Sequence, residues 1–222
     1  MIFGINEVLT PEELKLIIES LDKADFVDGK TTAGWHAKFV KNNQQLNRQA
    51  SCFKDLHELV KSALKRNALF QSAAQPKIIH SIVFSRYEKG MSYGRHVDNA
   101  FMGNQEFWRS DVSFTLFLSL PASYQGGELV IECSDDERIY KLEAGSMIVY
   151  PSSTLHRVEP VIEGVRLAVV GWVQSLIRDP NEREILFDLD TARRSIFAKE
   201  GKTVEFDLLS KSYANLLRKW GD

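Results

Sequence analysis

Short runs of β-branched and aromatic residues fill the segment from residue 78 to residue 175, and they constrain the fold more than any other feature. Runs such as IIHSIVFSRY and VRLAVVGWVQS are separated by turn signals, among them EKG at 88–90 and QGG at 125–127. No long helical pattern lies between them, which excludes the alternating strands and helices of a parallel sheet. Six or more strands at this spacing predict an antiparallel sandwich or barrel.

Helical patterns flank the strand-rich segment on both sides. Thr10, Pro11 and Glu13 match a capping box with proline in the first turn, which predicts a helix over residues 11–22. Apolar spacing predicts a second helix over residues 47–66. The polar stretch 25–49 is expected to be a loop with one short strand. After the last strand, helices are predicted from 180 to about 197 and over 207–219.

Composition excludes several classes of protein. The chain has 222 residues, 44% of them hydrophobic and 26% charged, which is typical of a folded globular protein. The net charge of −2 gives no basic excess, so we expect no nucleic-acid partner. No apolar run of about 18 residues is present, so no membrane-spanning helix is expected. Two cysteines without a CxxC pair exclude a disulfide scaffold, and with no secretory signal they favour the cytoplasm.

His96, Asp98 and His156 are the candidate metal ligands. In an extended segment residues i and i+2 point to one face, so the imidazole of His96 and the carboxylate of Asp98 can reach one point. His156 lies 58 residues after Asp98 in a late predicted strand. Two imidazoles and one carboxylate form the facial triad of non-heme Fe(II) oxygenases, although this ligand set also suits zinc or manganese.

Arg166 is the candidate anion-binding residue. A hairpin turn is indicated between His156 and Arg166, so Arg166 is predicted to begin the strand beside the one that carries His156. Alternation then places Trp172 on the same face as Arg166. A buried arginine needs an anionic partner, and the far carboxylate of a metal-chelating dicarboxylate would supply it. The alternative is a simple ion pair with Glu159 or Glu163.

The segments that carry these residues resemble a known family. RYEKGMSYGRHVDNAFMG (86–103), LFLSLPASYQGGELVIE (116–132) and YPSSTLHRVEPVIEGVRLAVVGWVQS (150–175) are similar to Fe(II)- and 2-oxoglutarate-dependent dioxygenases of the prolyl-4-hydroxylase-like superfamily, specifically the bacterial PKHD-type hydroxylases. FDLDTARRS (187–195) and LLSKSYANLLRKW (208–220) resemble the same group. The resemblance implies an α+β fold. Residues 78–175 would form a double-stranded β-helix (jelly-roll) core, residues 1–77 a helical and loop support, and residues 176–222 a C-terminal helical extension.

Residue by residue, the resemblance implies an active site. His96, Asp98 and His156 would be the iron ligands, and Arg166 would bind the distal carboxylate of 2-oxoglutarate. Further cosubstrate-binding or cavity-lining positions are implied for Tyr87 and Tyr93, and we add Trp172 from its alternation with Arg166. Phe117 departs from the pattern, because some animal relatives carry a cosubstrate-binding tyrosine there and a phenyl ring cannot donate that bond.

The reaction implied is hydroxylation of an unactivated C–H with dioxygen, 2-oxoglutarate and ascorbate. The substrate would be a peptidyl proline or lysine, or a small molecule such as an iron chelator. Three alternatives stay open here: a non-catalytic iron or 2-oxoglutarate sensor, a nucleic-acid repair oxygenase, and a zinc hydrolase. Residues 99–110 would form either a substrate lid or a packed insertion. The final helix would pack within the chain or against a second subunit.

Overall fold

The computed structural model describes residues 1–103 and 106–222. Five α-helices lie in this part of the chain: α1 (Pro11–Leu21), α2 (Phe53–Arg66), α3 (Ala68–Ala74), α4 (Pro180–Glu200) and α5 (Val204–Trp220). The strands are β1 (Phe3–Ile5), β2 (Phe26–Asp28), β3 (Lys41–Asn42), β4 (Gln44–Leu46), β5 (Pro76–Tyr87), β6 (Ser92–His96), β7 (Phe101–Met102), β8 (Trp108–Arg109), β9 (Val112–Phe117), β10 (Tyr124–Gly126), β11 (Leu129–Glu132), β12 (Glu137–Tyr140), β13 (Met147–Pro151), β14 (His156–Val158), β15 (Val161–Gly164) and β16 (Arg166–Ser175).

Two antiparallel sheets form a jelly-roll core, as the strand pattern and the resemblance predict. The larger sheet has the order β1-β13-β9-β16-β5-β4-β2, and the smaller one has the order β12-β11-β14-β6-β3. Two further pairs, β10–β15 and β7–β8, stand apart from them. Apolar side chains from both large sheets pack into one cluster, in which Tyr87, Phe117 and Tyr150 of the larger sheet meet Leu129 and Ile131 of the smaller.

The other face of the larger sheet is covered by the N-terminal helices. Ile17 of α1, Val60 of α2 and Phe70 of α3 are fully buried in one cluster with Phe114 and Val169 of the sheet. The ring of Phe70 meets that of Phe114 edge to face at 6.0 Å. A sheet that is buried on both faces needs long apolar runs, which explains why β9 and β16 read as nearly continuous hydrophobic segments.

The region between α1 and α2 differs from the prediction. Residues 25–49 hold three strands, β2, β3 and β4, rather than one. Strand β4 pairs with β5 and β2 pairs with β4 at the edge of the larger sheet, and β3 pairs with β6 in the smaller sheet. The helix predicted over 47–66 begins only at Phe53. Asn47 lies in a turn before it, in which its side chain accepts a hydrogen bond from the backbone N–H of Gln49 at 3.0 Å.

The C-terminal helices pack on each other and on α3. Phe197 of α4 and Phe206 of α5 have ring centroids 5.0 Å apart, and the guanidinium of Arg193 lies 4.3 Å from the ring centroid of Tyr213. Part of the apolar face of α5 is therefore covered within the chain, and self-association stays a prediction, as do the boundaries at residues 78 and 175. Within the described residues, no helix combines the length and the apolar character needed to cross a bilayer.

Candidate functional site

Two histidines on neighbouring strands define the site. His96 is the last residue of β6 and His156 the first of β14, and the antiparallel pairing of these strands sets them opposite each other. Opposed residues of an antiparallel pair project to the same face, and the two ring centroids are 4.3 Å apart. Asp98 follows two residues after His96, with its side chain on the same side.

The three side chains converge on one point. One ligand atom from each lies within 4.8 Å of the others, and Nε2 of His156 is 3.9 Å from Oδ1 of Asp98. Two imidazoles and one carboxylate at this spacing can hold a divalent metal ion and leave positions open for other ligands. The structure thus brings together the three residues that the sequence analysis selected.

Backbone carbonyl groups fix the orientation of both imidazoles. Nδ1 of His96 lies 2.8 Å from the carbonyl oxygen of Gly94, and Nδ1 of His156 lies 3.0 Å from that of Thr154. A carbonyl oxygen can only accept a hydrogen bond, so each Nδ1 carries a proton and donates the bond. The lone pair of each ring is therefore on Nε2, the nitrogen available to a metal.

Two serines fix the carboxylate of Asp98. Ser113 of β9 donates from its Oγ to Oδ2 of Asp98 at 2.6 Å, and Ser152 lies 2.8 Å from the same Oγ. Ser113 belongs to β9 of the larger sheet and Ser152 follows β13 of the same sheet, whereas Asp98 lies two residues beyond the end of β6 in the smaller sheet. The carboxylate is therefore held from the opposite side of the core. Neither serine was predicted from the sequence, since a serine carries no local signal for this role.

Burial keeps His96 in the form that binds metals. Desolvation, and then the neighbouring His156, lower the pKa of His96 to about 4, while the charge of Asp98 opposes the shift. A histidine with this pKa is neutral at physiological pH, and only the neutral imidazole offers a lone pair to a metal.

Arg166 enters the cavity from the opposite sheet, which corrects the predicted strand neighbours. It begins β16, which pairs with β5 and β9 and not with β14, so Arg166 lies opposite Tyr87 rather than beside His156. The hairpin turn predicted between His156 and Arg166 is also wrong, because Val161–Gly164 forms the strand β15, which pairs with β10, and the chain passes through it from one sheet to the other. Local sequence patterns indicate a strand and its face but not its partner, which explains the error.

The guanidinium of Arg166 is buried without a counterion. Its side chain is 1% exposed, and within residues 1–103 and 106–222 neither its Nε nor its Nη2 has a hydrogen-bond partner. The alternative pairing with Glu159 is wrong, because that carboxylate accepts from Arg157 on the outside of the sheet. The rings of Tyr87 and Phe117 lie over the cation, with centroids at 5.1 and 5.6 Å, and the hydroxyl of Tyr124 is close enough for the charge of Arg166 to oppose the rise of its pKa. Such a cation calls for an anionic ligand.

The predicted aromatic residues line the same cavity. Tyr93 stacks on His96 with ring centroids 3.6 Å apart and planes inclined by 16°. Burial raises the pKa of Tyr87 and of Tyr93, so both phenols keep their protons and can donate hydrogen bonds. The indole Nε1 of Trp172 is buried and has no partner among the residues described. Phe117 offers its ring face and no donor, as its side chain requires.

The cavity has a volume of about 710 Å³ and includes residues that the sequence analysis missed. Lys41, Asn43 and Gln45 line it with buried polar side chains. Tyr150 of β13 also lines it, with its ring 5.1 Å from that of His156. In the sequence the first three belong to a polar run, KNNQQ, and only their alternation at every second position distinguishes them from a loop.

Part of the predicted lid or insertion also lines the cavity. Phe101, Met102 and Trp108 contribute to its wall, whereas Phe107 points to solvent. Residues 104–105 lie outside the described residues. Both predicted roles of residues 99–110, a substrate lid and a packed insertion, therefore stay predictions.

Comparison with known sequences identifies two matching family models. The 2OG-Fe(II) oxygenase superfamily matches residues 82–174, and the PKHD-type hydroxylase C-terminal domain matches residues 181–222. A PKHD-type hydroxylase of Rippkaea orientalis is 70% identical over 221 residues, and one of Gloeothece citriformis is 64% identical over 222 residues. Both alignments cover 100% of this chain and 100% of the relative.

Solved structures share the fold at low sequence identity. A prolyl-4-hydroxylase of Pseudomonas putida aligns with a TM-score of 0.51 at 18% identity, over 78% of this chain and 92% of that chain. A prolyl hydroxylase of Trichoplax adhaerens, solved with a hypoxia inducible factor peptide fragment, gives 0.56 at 17% identity over 83% and 86%. HygX of Streptomyces hygroscopicus, solved with nickel and 2-oxoglutarate, gives 0.56 at 12% identity over 79% and 84%.

Three findings agree with one another: the sequence identity to PKHD-type hydroxylases over the full length of both chains, the matching oxygenase domain, and the jelly-roll fold. The chain belongs to the PKHD-type hydroxylases and is an enzyme of the 2OG-Fe(II) oxygenase superfamily.

Proposed function

We propose that His96, Asp98 and His156 hold Fe(II), that Arg166 binds the distal carboxylate of 2-oxoglutarate, and that the enzyme hydroxylates a C–H bond of an organic substrate. One observation carries this assignment. The partnerless guanidinium of Arg166 and the three convergent ligand atoms line one cavity. The residues fit the implied group, since a dicarboxylate that chelates a metal at one end needs a buried cation at the other.

Bound iron with 2-oxoglutarate supplies the oxidising chemistry, in which dioxygen and the cosubstrate yield the hydroxylated product, succinate and carbon dioxide. The protein binds, orients and excludes water. The carbonyl groups of Gly94 and Thr154 hold each Nε2 towards the cavity, and Ser113 holds the carboxylate of Asp98. Such supporting hydrogen bonds tune a metal site as much as the ligands themselves do.

The cosubstrate pocket relies on Arg166 and on protonated phenols. Tyr87 lies against Arg166 across the strand pair and can donate from its hydroxyl to a carboxylate in the same pocket. Phe117 cannot donate, so the distal carboxylate depends on Arg166 more strongly than it would in a pocket with a tyrosine there. Tyr93 stacks on His96 and restricts the rotation of that ring.

Three finer points belong to the same proposal. Ascorbate would keep the iron ferrous between turnovers. A cytoplasmic location suits Cys52 and Cys133, which are both free thiols. The substrate would be a peptidyl proline or lysine, or a small molecule such as an iron chelator. Full-length similarity to PKHD-type hydroxylases favours hydroxylation of such a substrate over a sensor, a zinc hydrolase or a nucleic-acid repair oxygenase.

The test is an anaerobic titration of the apo-protein with Fe(II) and 2-oxoglutarate, followed by the visible iron-to-cosubstrate charge-transfer band. The wild type should develop the band, His156→Ala should not, and Arg166→Ala should need a much higher concentration of 2-oxoglutarate. Arg157→Ala is the matched control, because Arg157 pairs with Glu137 and Glu159 outside the cavity. Absence of the band in the wild type would overturn the proposal.

A further inference from the structure

A short segment crosses from one sheet to the other beside the cavity. Lys41 of β3 pairs with Tyr93 in the smaller sheet, and Gln45 of β4 pairs with Ser85 in the larger sheet. Asn43 lies between the two strands. The side chains of Lys41, Asn43 and Gln45 are 6%, 4% and 4% exposed and all line the cavity. We call these three side chains the polar wall.

The polar wall offers more donors than acceptors. Nζ of Lys41 donates to Oγ1 of Thr32 at 3.0 Å, and the one proton of that hydroxyl has two acceptors within reach, Oε1 of Gln45 at 2.8 Å and the carbonyl oxygen of Gly29 at 3.1 Å. The shorter bond uses the acceptor of Gln45, and its Nε2 and two protons of Lys41 remain to bind a ligand. Within the described residues neither atom of the Asn43 amide has a partner of good hydrogen-bond geometry, although the amide lies near enough to the hydroxyl of Tyr87 to oppose the rise of that phenol's pKa. A buried polar group of this kind needs a partner, and here the partner must be rich in acceptors.

The charges in the cavity point to an anion. Its buried charged side chains are Asp98, Arg166 and Lys41. In the proposed function the divalent metal and Arg166 contribute three positive charges, and the dianionic cosubstrate and Asp98 contribute three negative ones. Lys41 is then the remaining buried cation, since Arg48, which also lines the cavity, is exposed. Lys41 forms no ion pair within residues 1–103 and 106–222. Burial of an unpaired charge is costly, so an anionic ligand is favoured at this position.

Lys41 also lies close to the metal ligands. Its Nζ is 5.0 Å from the ring centroid of Tyr93, and the ring of Tyr93 stacks directly on that of His96. One aromatic ring therefore separates the ammonium group from an imidazole of the triad. A ligand anchored on Lys41 would have its neighbouring carbon atoms beside the metal site, in a cavity whose remaining wall includes the apolar Phe101 and Met102.

We propose that Lys41, Asn43 and Gln45 form the subsite for a carboxylate of the primary substrate, and that this substrate is a small organic acid with an apolar body. The inference rests on the proposed function, because the iron and the cosubstrate must occupy the rest of the cavity. A volume of about 710 Å³ is in the range of small-molecule sites. The polar wall thus determines the choice of substrate and leaves cosubstrate binding to Arg166.

The probe is 4-phenylbutyrate, compared with its neutral amide, 4-phenylbutyramide. Protein loaded with Mn(II) and 2-oxoglutarate is titrated with each, and paramagnetic broadening of the aromatic proton signals gives the affinity and reports closeness to the metal. Wild-type protein should bind the acid about tenfold or more tightly than the amide, as expected for a charge-assisted hydrogen bond. Lys41→Met should remove this preference without weakening the amide, and Lys41→Arg should keep it.

Two further variants make the test specific. Lys38→Met removes the same charge from an exposed lysine outside the cavity and should behave like the wild type. Asn43→Ala should weaken the acid severalfold while 2-oxoglutarate affinity stays near that of the wild type, which must be measured in the same variant because Asn43 lies beside Tyr87. This variant keeps the test valid if Lys41→Met does not fold.

The Fe(II) and 2-oxoglutarate charge-transfer band is recorded first for every variant. A missing band in the wild type would reject the proposed function itself. A normal band with equal broadening by acid and amide, including none by either, would reject the carboxylate subsite alone. Loss of 2-oxoglutarate affinity in Lys41→Met would also reject it, because Lys41 would then serve the cosubstrate.

Discussion

Replacement of Arg166 should raise the stability of the cosubstrate-free protein and lower its affinity for 2-oxoglutarate. Replacement by methionine keeps a long side chain between the rings of Tyr87 and Phe117 but removes the charge. A buried, partnerless cation carries a desolvation penalty of several kcal/mol, which the two ring contacts offset by about 2 kcal/mol each at most. We expect Arg166→Met to raise the free energy of unfolding of the cosubstrate-free protein by about 1–3 kcal/mol.

The same change should weaken the binding of 2-oxoglutarate. Removal of one partner of a buried ion pair costs about 3–5 kcal/mol, which corresponds to a loss of affinity of about 100-fold or more. At 100 times the wild-type Kd, 2-oxoglutarate should stabilise the wild type by about 2.7 kcal/mol. At the same concentration it should stabilise a variant with 100-fold weaker affinity by only about 0.4 kcal/mol.

Urea unfolding with saturating Mn(II), in the presence and absence of 2-oxoglutarate, measures both quantities and avoids turnover. Arg157→Met serves as the control, since it removes a partly exposed ion pair, and it should change stability by about 1 kcal/mol or less and leave cosubstrate affinity unchanged. Unchanged 2-oxoglutarate stabilisation in Arg166→Met would refute the assignment. A large loss of stability without cosubstrate would refute the view that the cation lacks a partner.

Three further results are expected. Ser113→Ala frees the carboxylate of Asp98 and should lower the affinity for Mn(II) about 10- to 100-fold in calorimetric titration, with little change in thermal stability. In the metal-free protein the pKa of His96 is about 4, so between pH 6.5 and 4 the unfolded chain binds more protons than the folded one. Stability to urea should therefore fall as the pH drops through this range, and His96→Gln should reduce the slope. Gly171→Ala would set a Cβ 2.5 Å from Cζ of Phe114, and we expect thermal unfolding to reveal a loss of about 1–3 kcal/mol.

Features that depend on local chemistry could be predicted from the sequence. The capping box at Thr10 forms as expected, with the Glu13 backbone N–H donating to its hydroxyl at 3.2 Å and the Glu13 carboxylate accepting from its N–H at 2.9 Å. The convergence of His96 and Asp98 follows from their spacing within extended chain. His156 could be added because it lies in a late predicted strand and completes a facial triad, and the family resemblance then made that choice specific.

Features that depend on strand pairing could not be predicted from the sequence. The pattern after His156 predicted a strand that begins at Arg166, and the strand is there, yet its partner lies in the other sheet. Lys41, Asn43 and Gln45 belong to strands of two and three residues or to the residue between them. These strands are too short and too polar for local propensity to indicate them. Long-range pairing with β5 and β6 decides their conformation.

The pairing of β6 with β14 makes metal binding depend on the register of these two strands. Because side chains alternate between the two faces of a strand, a slip of β14 by one residue would turn His156 away from His96 and bring Arg157 into the cavity. Metal would then bind only to chains in which strands 60 positions apart in the sequence have found the correct register. Bound iron should therefore stabilise the folded state. It should slow amide hydrogen exchange in β6 and β14 more than in β12, which lies at the far edge of the same sheet.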